Sequence, residues 1–210
     1  MKRSAMALAC TALLAGPGLG GIGPVQVLGS SPALAETVKG DPAAGRKRAG
    51  MCRTCHGLDG MARIPIAPHI GGEPQAYLRA QLEAFRDGRR VHEMMSVVAK
   101  SLDDTAIADL AAWYGSHQAS ATLPAGASAE AAPAQCSACH GEAGIGQMED
   151  VPNLAGESAI YIDTQLKAFR LGKRKHEVMS AVAADLTDED IRAFADWYAA
   201  VKLEIAPPAQ

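Results

Sequence analysis

A chain of 210 residues, 48% hydrophobic and 20% charged, has the makeup of one or two globular domains rather than of a disordered tail or a membrane bundle. Its formal net charge of −3 supplies no basic field to hold nucleic acid. Aromatic residues make up only 4%, which leaves something other than large side chains to fill two modest cores.

Residues 1–35 read as an export signal. Lys2 and Arg3 open it, Ala5 to Leu14 are almost wholly apolar, and Ala33-Leu34-Ala35 offers a small-x-small cleavage site, with the cut expected after Ala35. Gly16, Pro17, Gly18, Gly20, Gly21, Gly23 and Pro24 argue against a retained spanning helix. A lipid anchor on Cys10 is a poorer reading, because the residues before it fit such a signal badly and lie very near the start. The mature chain would then carry 18 basic and 23 acidic residues, net −5, in the periplasm and without strong membrane insertion.

In chain order, Pro42 to Met51 reads as a short helix whose Arg46-Lys47-Arg48 run is a solvated face. It leads into Cys52-Arg53-Thr54-Cys55-His56, the covalent attachment pattern of a c-type haem. Two close thiols add across the two vinyl groups, and the adjacent imidazole is held beneath the iron. Short disulfides, a four-cysteine zinc site or a thioredoxin-like pair leave the histidine unexplained, and a redox pair would also bring a βαβ pattern that is missing. Leu78, Leu82 and Phe85, spaced i, i+4 and i+7, predict an amphipathic helix that Gly88 stops. Asp103 is a plausible N-cap for a last helix with Ile107, Leu110, Ala111 and Tyr114 on one face. His117 to Gln135, rich in Ala, Ser, Pro and Gly, contains a linker placed at residues 119–126. Its later part, Ser128 to Gln135, is a weaker helix interrupted by Pro133, and no strand is expected anywhere.

The same series then starts again with Cys136-Ser137-Ala138-Cys139-His140. An offset of 84 aligns residues 52–116 with 136–200 without a gap, and 28 of those 65 positions are identical. Ile162, Leu166 and Phe169 repeat the middle helix, Gly172 its stop, and Thr187 with Asp190 forms a capping-box-like start to a helix carrying Ile191, Phe194, Ala195 and Tyr198. The chain therefore holds two haem domains, 36–118 and 127–210. Each is small for a self-sufficient core, so the haem-free chain is expected to fold poorly.

A second axial ligand must be duplicated too, which leaves Met95/Met179 and His92/His176 and excludes Met94, whose equivalent is Val178. The methionines are the better candidates, in a loop ahead of the last helix, with the histidines as solvated loop residues. Met51, Met61, Met94 and Met148 are read as packing, and His69 and His117, which have no histidine counterpart, as surface residues.

These motifs (C-x-x-C-H, P-x-(I/L)-x-G, Y-(L/I)-x-x-Q-L-x-A-F-R-x-G, and M-S-x-V-A-x-x-L before a capped helix) resemble class I dihaem cytochromes of the cytochrome c4 type over nearly the whole mature chain. The resemblance implies an all-α fold of two tandem cytochrome c-like domains, each with about three to five helices around a covalently bound haem. It implies two c-type haems, axial pairs His56/Met95 and His140/Met179, and carbonyls of Pro68 and Pro152 that orient the proximal imidazoles. Arg86/Arg170 and Arg90/Arg174 become either propionate partners or solvated helix ends. The first copy departs from the pattern at Arg63-Ile64-Pro65-Ile66, where the second has Gln147-Met148-Glu149-Asp150.

With both axial positions filled, no iron site is open to substrate, so the expected role is electron transfer with no catalytic residue; a dihaem peroxidase would need a displaceable ligand. Residues 36–118 contain 11 basic and 10 acidic side chains, net +1, and residues 119–210 contain 7 and 13, net −6. The halves are thus expected to meet different partners. The main reading is a shuttle from a quinol-oxidising complex or dehydrogenase to a terminal oxidase or reductase. The alternative is the electron-accepting subunit of a periplasmic dehydrogenase, such as a flavocytochrome c sulfide dehydrogenase or a thiosulfate-oxidising system.

Overall fold

The computed structural model describes residues 38–208, so the export signal, its cleavage point and Cys10 lie outside the described residues. Helix α1 (Pro42–Arg48) starts where Asp41 accepts a hydrogen bond from the Ala43 N–H at 2.8 Å and Pro42 occupies the first turn. A 3₁₀ turn (Ala49–Met51) carries the chain into α2 (Arg53–His56). Helix α3 (Gln75–Arg86) buries Leu78, Ala84 and Phe85 and ends ahead of Gly88, whose φ of 75° suits a residue without Cβ. After α4 (Glu93–Ala99), α5 (Asp104–Gly115) is capped by Asp103 through the Ala106 N–H.

Every residue of α5 from Ala106 to Tyr114 is buried, because α1 covers the side that the core does not. That close crossing depends on Gly45: a Cβ there would fall 2.0 Å from the Asp109 carbonyl oxygen. Asp109 fastens the pair, its carboxylate accepting from the Asp41 N–H at 2.9 Å and the Arg48 Nε–H at 3.1 Å. Asp109→Ala removes the buried carboxylate that accepts both bonds and is expected to cost roughly 1–3 kcal/mol in urea unfolding of the haem-loaded protein, the first half unfolding ahead of the second.

The second half repeats the plan with α6 (Ala134–His140), α7 (Ala159–Arg170), α8 (Glu177–Ala184) and α9 (Asp188–Ala199). The expected capping box of Thr187 and Asp190 is present. The helix expected over Ser128–Gln135 is reduced to a 3₁₀ turn (Ala129–Ala131), with Pro133 at the N-cap of α6. Among the described residues nothing like α1 covers α9, which buries only Ile191, Ala195 and Tyr198. Its outer face accordingly carries Arg192 and Asp196 where α5 has Ala108 and Ala112.

Two strands depart from the purely helical expectation. β1 (Gln118–Thr122) pairs antiparallel with β2 (Lys202–Ala206), so the first part of the segment expected as linker is a strand. Ser120 lies opposite Glu204, 84 positions on, and Gln118 opposite Ala206, so the ribbon is a two-fold contact between the copies, centred on that pair. The small polar run Gln-Ala-Ser-Ala-Thr carries no hydrophobic alternation to announce a strand.

Candidate functional site

Each attachment histidine ends a short helix and is buried. The His56 Nδ1–H donates to the Pro68 carbonyl at 2.9 Å, and the His140 Nδ1–H to the Pro152 carbonyl at 2.8 Å. A carbonyl only accepts, so Nδ1 carries the proton and Nε2 is the ring nitrogen left to bind a metal. Burial holds both imidazoles below their usual pKa, against the carbonyls' opposing pull, and so favours the neutral, ligating form.

Cys52, Cys55, Cys136 and Cys139 are half-buried free thiols. Cys52 packs on the first core, with Leu78, Ile107 and Leu110, and Cys136 on the second, with Ile162, Leu166 and Ile191. The pairs therefore serve separate halves rather than one four-cysteine site. Burial pushes the Cys52 thiol up and the Cys136 thiol up to about 11. The last helix of each half clamps the loop after the motif. Trp113 Nε1–H donates to the Leu58 carbonyl at 3.0 Å and Tyr114 OH to that of Gly57 at 3.4 Å; Trp197 and Tyr198 reach the carbonyls of Glu142 and Gly141. The sequence pattern places Tyr114 and Tyr198 on the buried faces of these helices but gives no sign of the clamp on the motif loop.

Met95 and Met179 lie half-buried within α4 and α8 rather than in a loop. Met179 packs on the same core as Cys136. His92 and His176, expected as solvated loop residues, are exposed but act as N-caps of those helices, Nδ1 accepting from the Met95 N–H at 3.4 Å and the Met179 N–H at 3.3 Å. That accounts for their duplication and fixes the turn that bears each methionine.

Several expectations need correction. His117 is buried, its Nδ1–H donating to the Trp113 carbonyl at 3.0 Å, because it occupies the core position that Val201 fills in the second copy. His69 is half-buried in the seam: its Nδ1 accepts from the Ala62 N–H at 2.9 Å and its Nε2–H donates to the Gly156 carbonyl at 3.0 Å. Its equivalent, Asn153, does the same work, Oδ1 accepting from the Gly146 N–H and Nδ2 donating to the Gly72 carbonyl, each at 3.0 Å. Met51, Met61, Met94 and Met148 are exposed rather than packed.

Arg86 and Arg170 pair with Asp104 and Asp188 on the surface. Arg90 and Arg174 cross between the halves instead. Arg90 donates to Gln81 in its own half and to Tyr161 and Gln165 in the other; Arg174 donates to Gln165, Tyr77 and Gln81.

The family model described as "Cytochrome C oxidase, cbb3-type, subunit III" matches residues 122–197. Cytochrome c4 of Pseudomonas aeruginosa is 34% identical over 176 residues, 75% of this chain and 87% of the relative. A thiosulfate dehydrogenase electron acceptor of Thiomonas intermedia is 36% identical over 181 residues, 77% of this chain and 83% of the relative. The crystal structure of reduced recombinant cytochrome c4 from Pseudomonas stutzeri superposes with a TM-score of 0.66 at 29% identity, over 78% of this chain and 100% of that one. Tandem helical halves, each presenting paired thiols beside a buried histidine, define a dihaem c-type cytochrome, an electron carrier whose partners are redox proteins. Within that class the chain belongs to the cytochrome c4 family. Among the described residues no helix is long and apolar enough to cross a membrane.

Proposed function

We propose that Cys52 and Cys55 would hold one haem, with His56 and Met95 as its iron ligands, that Cys136 and Cys139 would hold the other with His140 and Met179, and that the carbonyls of Pro68 and Pro152 orient the two histidines. The observation that carries this reading is the duplicated, buried imidazole tied at Nδ1 to a proline carbonyl beside two unbridged thiols. When bound, the haem iron supplies the electron by cycling between Fe(II) and Fe(III), and methionine ligation with burial favours the reduced state. The chain's own part is to fix the imidazole plane, keep Nδ1 protonated, exclude water with the Tyr114 and Tyr198 cores, and present a docking face.

The protein works in the periplasm, delivered by the signal in residues 1–35, as a shuttle between a quinol-oxidising complex or dehydrogenase and a terminal oxidase or reductase. The charge imbalance between the halves, +1 against −6, gives donor and acceptor different faces and makes both transfer rates salt-dependent. Its relation to thiosulfate dehydrogenase electron acceptors favours a second reading, in which the donor is a stable catalytic partner. Size fractionation of native periplasm, followed by haem absorbance, separates the two. Elution at the mass of one or two mature chains supports the shuttle, and stoichiometric co-elution with a flavin- or metal-containing chain replaces it with the enzyme-subunit reading.

A further inference from the structure

The peptide group that serves each proximal histidine has a second side. The carbonyl between Pro68 and His69 accepts from His56 Nδ1–H, while the N–H of that same peptide donates to Glu157 Oε1, in the other half, at 2.7 Å. The peptide between Pro152 and Asn153 repeats this in reverse: its carbonyl accepts from His140, and its N–H donates to Glu73 Oε2, in the first half, at 3.0 Å. Glu73 and Glu157 are equivalent positions of the repeat, and each is only 3% exposed. Neither carboxyl has a cationic partner among the ion pairs of the described residues, and Glu157 Oε2 is buried with no hydrogen-bond partner among them.

A buried glutamate without a cation is costly to keep. Its geometry here is also specific, because a charge on the carboxylate polarises the peptide it touches and enriches the far carbonyl. The histidine on that carbonyl then becomes a stronger donor to whatever Nε2 binds. We propose that Glu73 and Glu157 are positioning residues for electron transfer, each setting the potential of the other half's haem through a carboxylate–peptide–imidazole relay across the seam. This rests on His56 and His140 as iron ligands.

The sign follows directly. An ionised Glu157 makes His56 more electron-rich, stabilises Fe(III) and lowers the potential of the first haem; a protonated Glu157 releases it upward. Glu73 does the same for the second haem. Burial lifts Glu73 to about 8 and Glu157 well above the usual carboxylate range, the latter also through repulsion by Glu73. The charged and titratable groups facing the pair are His69, kept neutral by burial, the half-buried Tyr77, and Tyr161 with Arg90 and Arg174, which hydrogen-bond the two tyrosines. Both potentials should therefore fall as pH rises through the range in which the glutamates ionise.

The test is a redox titration of the full, haem-loaded chain by NMR, following assigned haem methyl signals separately, for wild type, Glu157→Gln and Glu73→Gln at pH 6 and pH 9.5. At pH 9.5 Glu157→Gln should raise chiefly the potential of the His56 haem and shift the His56 Nδ1–H resonance, and Glu73→Gln should do so for the His140 haem. At pH 6 Glu73→Gln should match wild type. Equal shifts at both haems, shifts confined to the half that carries the substitution, or unmoved Nδ1–H signals would overturn the relay. If a variant fails to fold, wild type alone decides between pH 5 and 10: two potentials that fall with ring N–H shifts support it, and flat potentials overturn it. A wild-type spectrum without histidine ligation would refute the ligand assignment itself, which is a different result from uncrossed shifts on properly ligated haems.

Discussion

Replacing Met179 with alanine is expected to convert the second haem from a closed electron carrier into one that binds carbon monoxide when reduced. On the proposed ligand set, which leaves neither iron open, the wild-type protein should give no carbon monoxide difference spectrum. Removing the proposed thioether ligand would open one iron only, so the variant should bind one equivalent. Its altered haem should also fall in potential by a sizeable part of the ~0.8 V that axial ligation commands. His176→Ala is the control. It removes an N-cap from α8, so it should cost about 1 kcal/mol of stability and leave the iron closed. Carbon monoxide binding by His176→Ala, with none by Met179→Ala, would reverse the ligand assignment.

The second large effect concerns folding. Cys136→Ser with Cys139→Ser should abolish attachment in the second half and cost it stability of order 5 kcal/mol, comparable with the whole stability of a small domain. The same exchange at Cys52 and Cys55 should be milder. The asymmetry follows from the cores: the first half has α1 locked over α5 by Gly45 and Asp109, whereas α9 meets solvent on its outer face. The second core rests on Ile162, Leu166, Leu186, Ile191, Ala195 and Tyr198, a thin set for a half of that size without its macrocycle. Urea unfolding followed by helical circular dichroism would show one cooperative transition for wild type and early, broad loss of one half for the Cys136/Cys139 variant. Equal behaviour of the two variants would refute the argument.

What could be read from sequence was local or doubled. The attachment motifs, the i, i+4, i+7 faces of α3 and α7, the glycine stops and the Asp103 and Thr187 caps are each set by residues a few positions apart. What could not be read belongs to the seam. Strand β1 has its partner in the other copy, and nothing in Gln-Ala-Ser-Ala-Thr anticipates it. His69 and Asn153 differ in chemistry yet accept and donate at equivalent points, so a comparison by identity passes over them. His117 and Val201 are likewise two ways to fill one core position, and extending the alignment one residue past 116 and 200 would have placed them opposite each other. Arg90 and Arg174 were visible as a pair, but a pair in sequence does not say that each reaches into the other half.

The ribbon centred on Ser120 and Glu204 is the self-complementary contact that two identical subunits make about a dyad. Written into one chain, that contact ceases to depend on dilution, because the tether holds the halves at an effective concentration of order millimolar. Two single-electron stores thereby diffuse as one particle, and a partner that needs a pair of electrons can draw both from one collision complex instead of waiting for a second carrier.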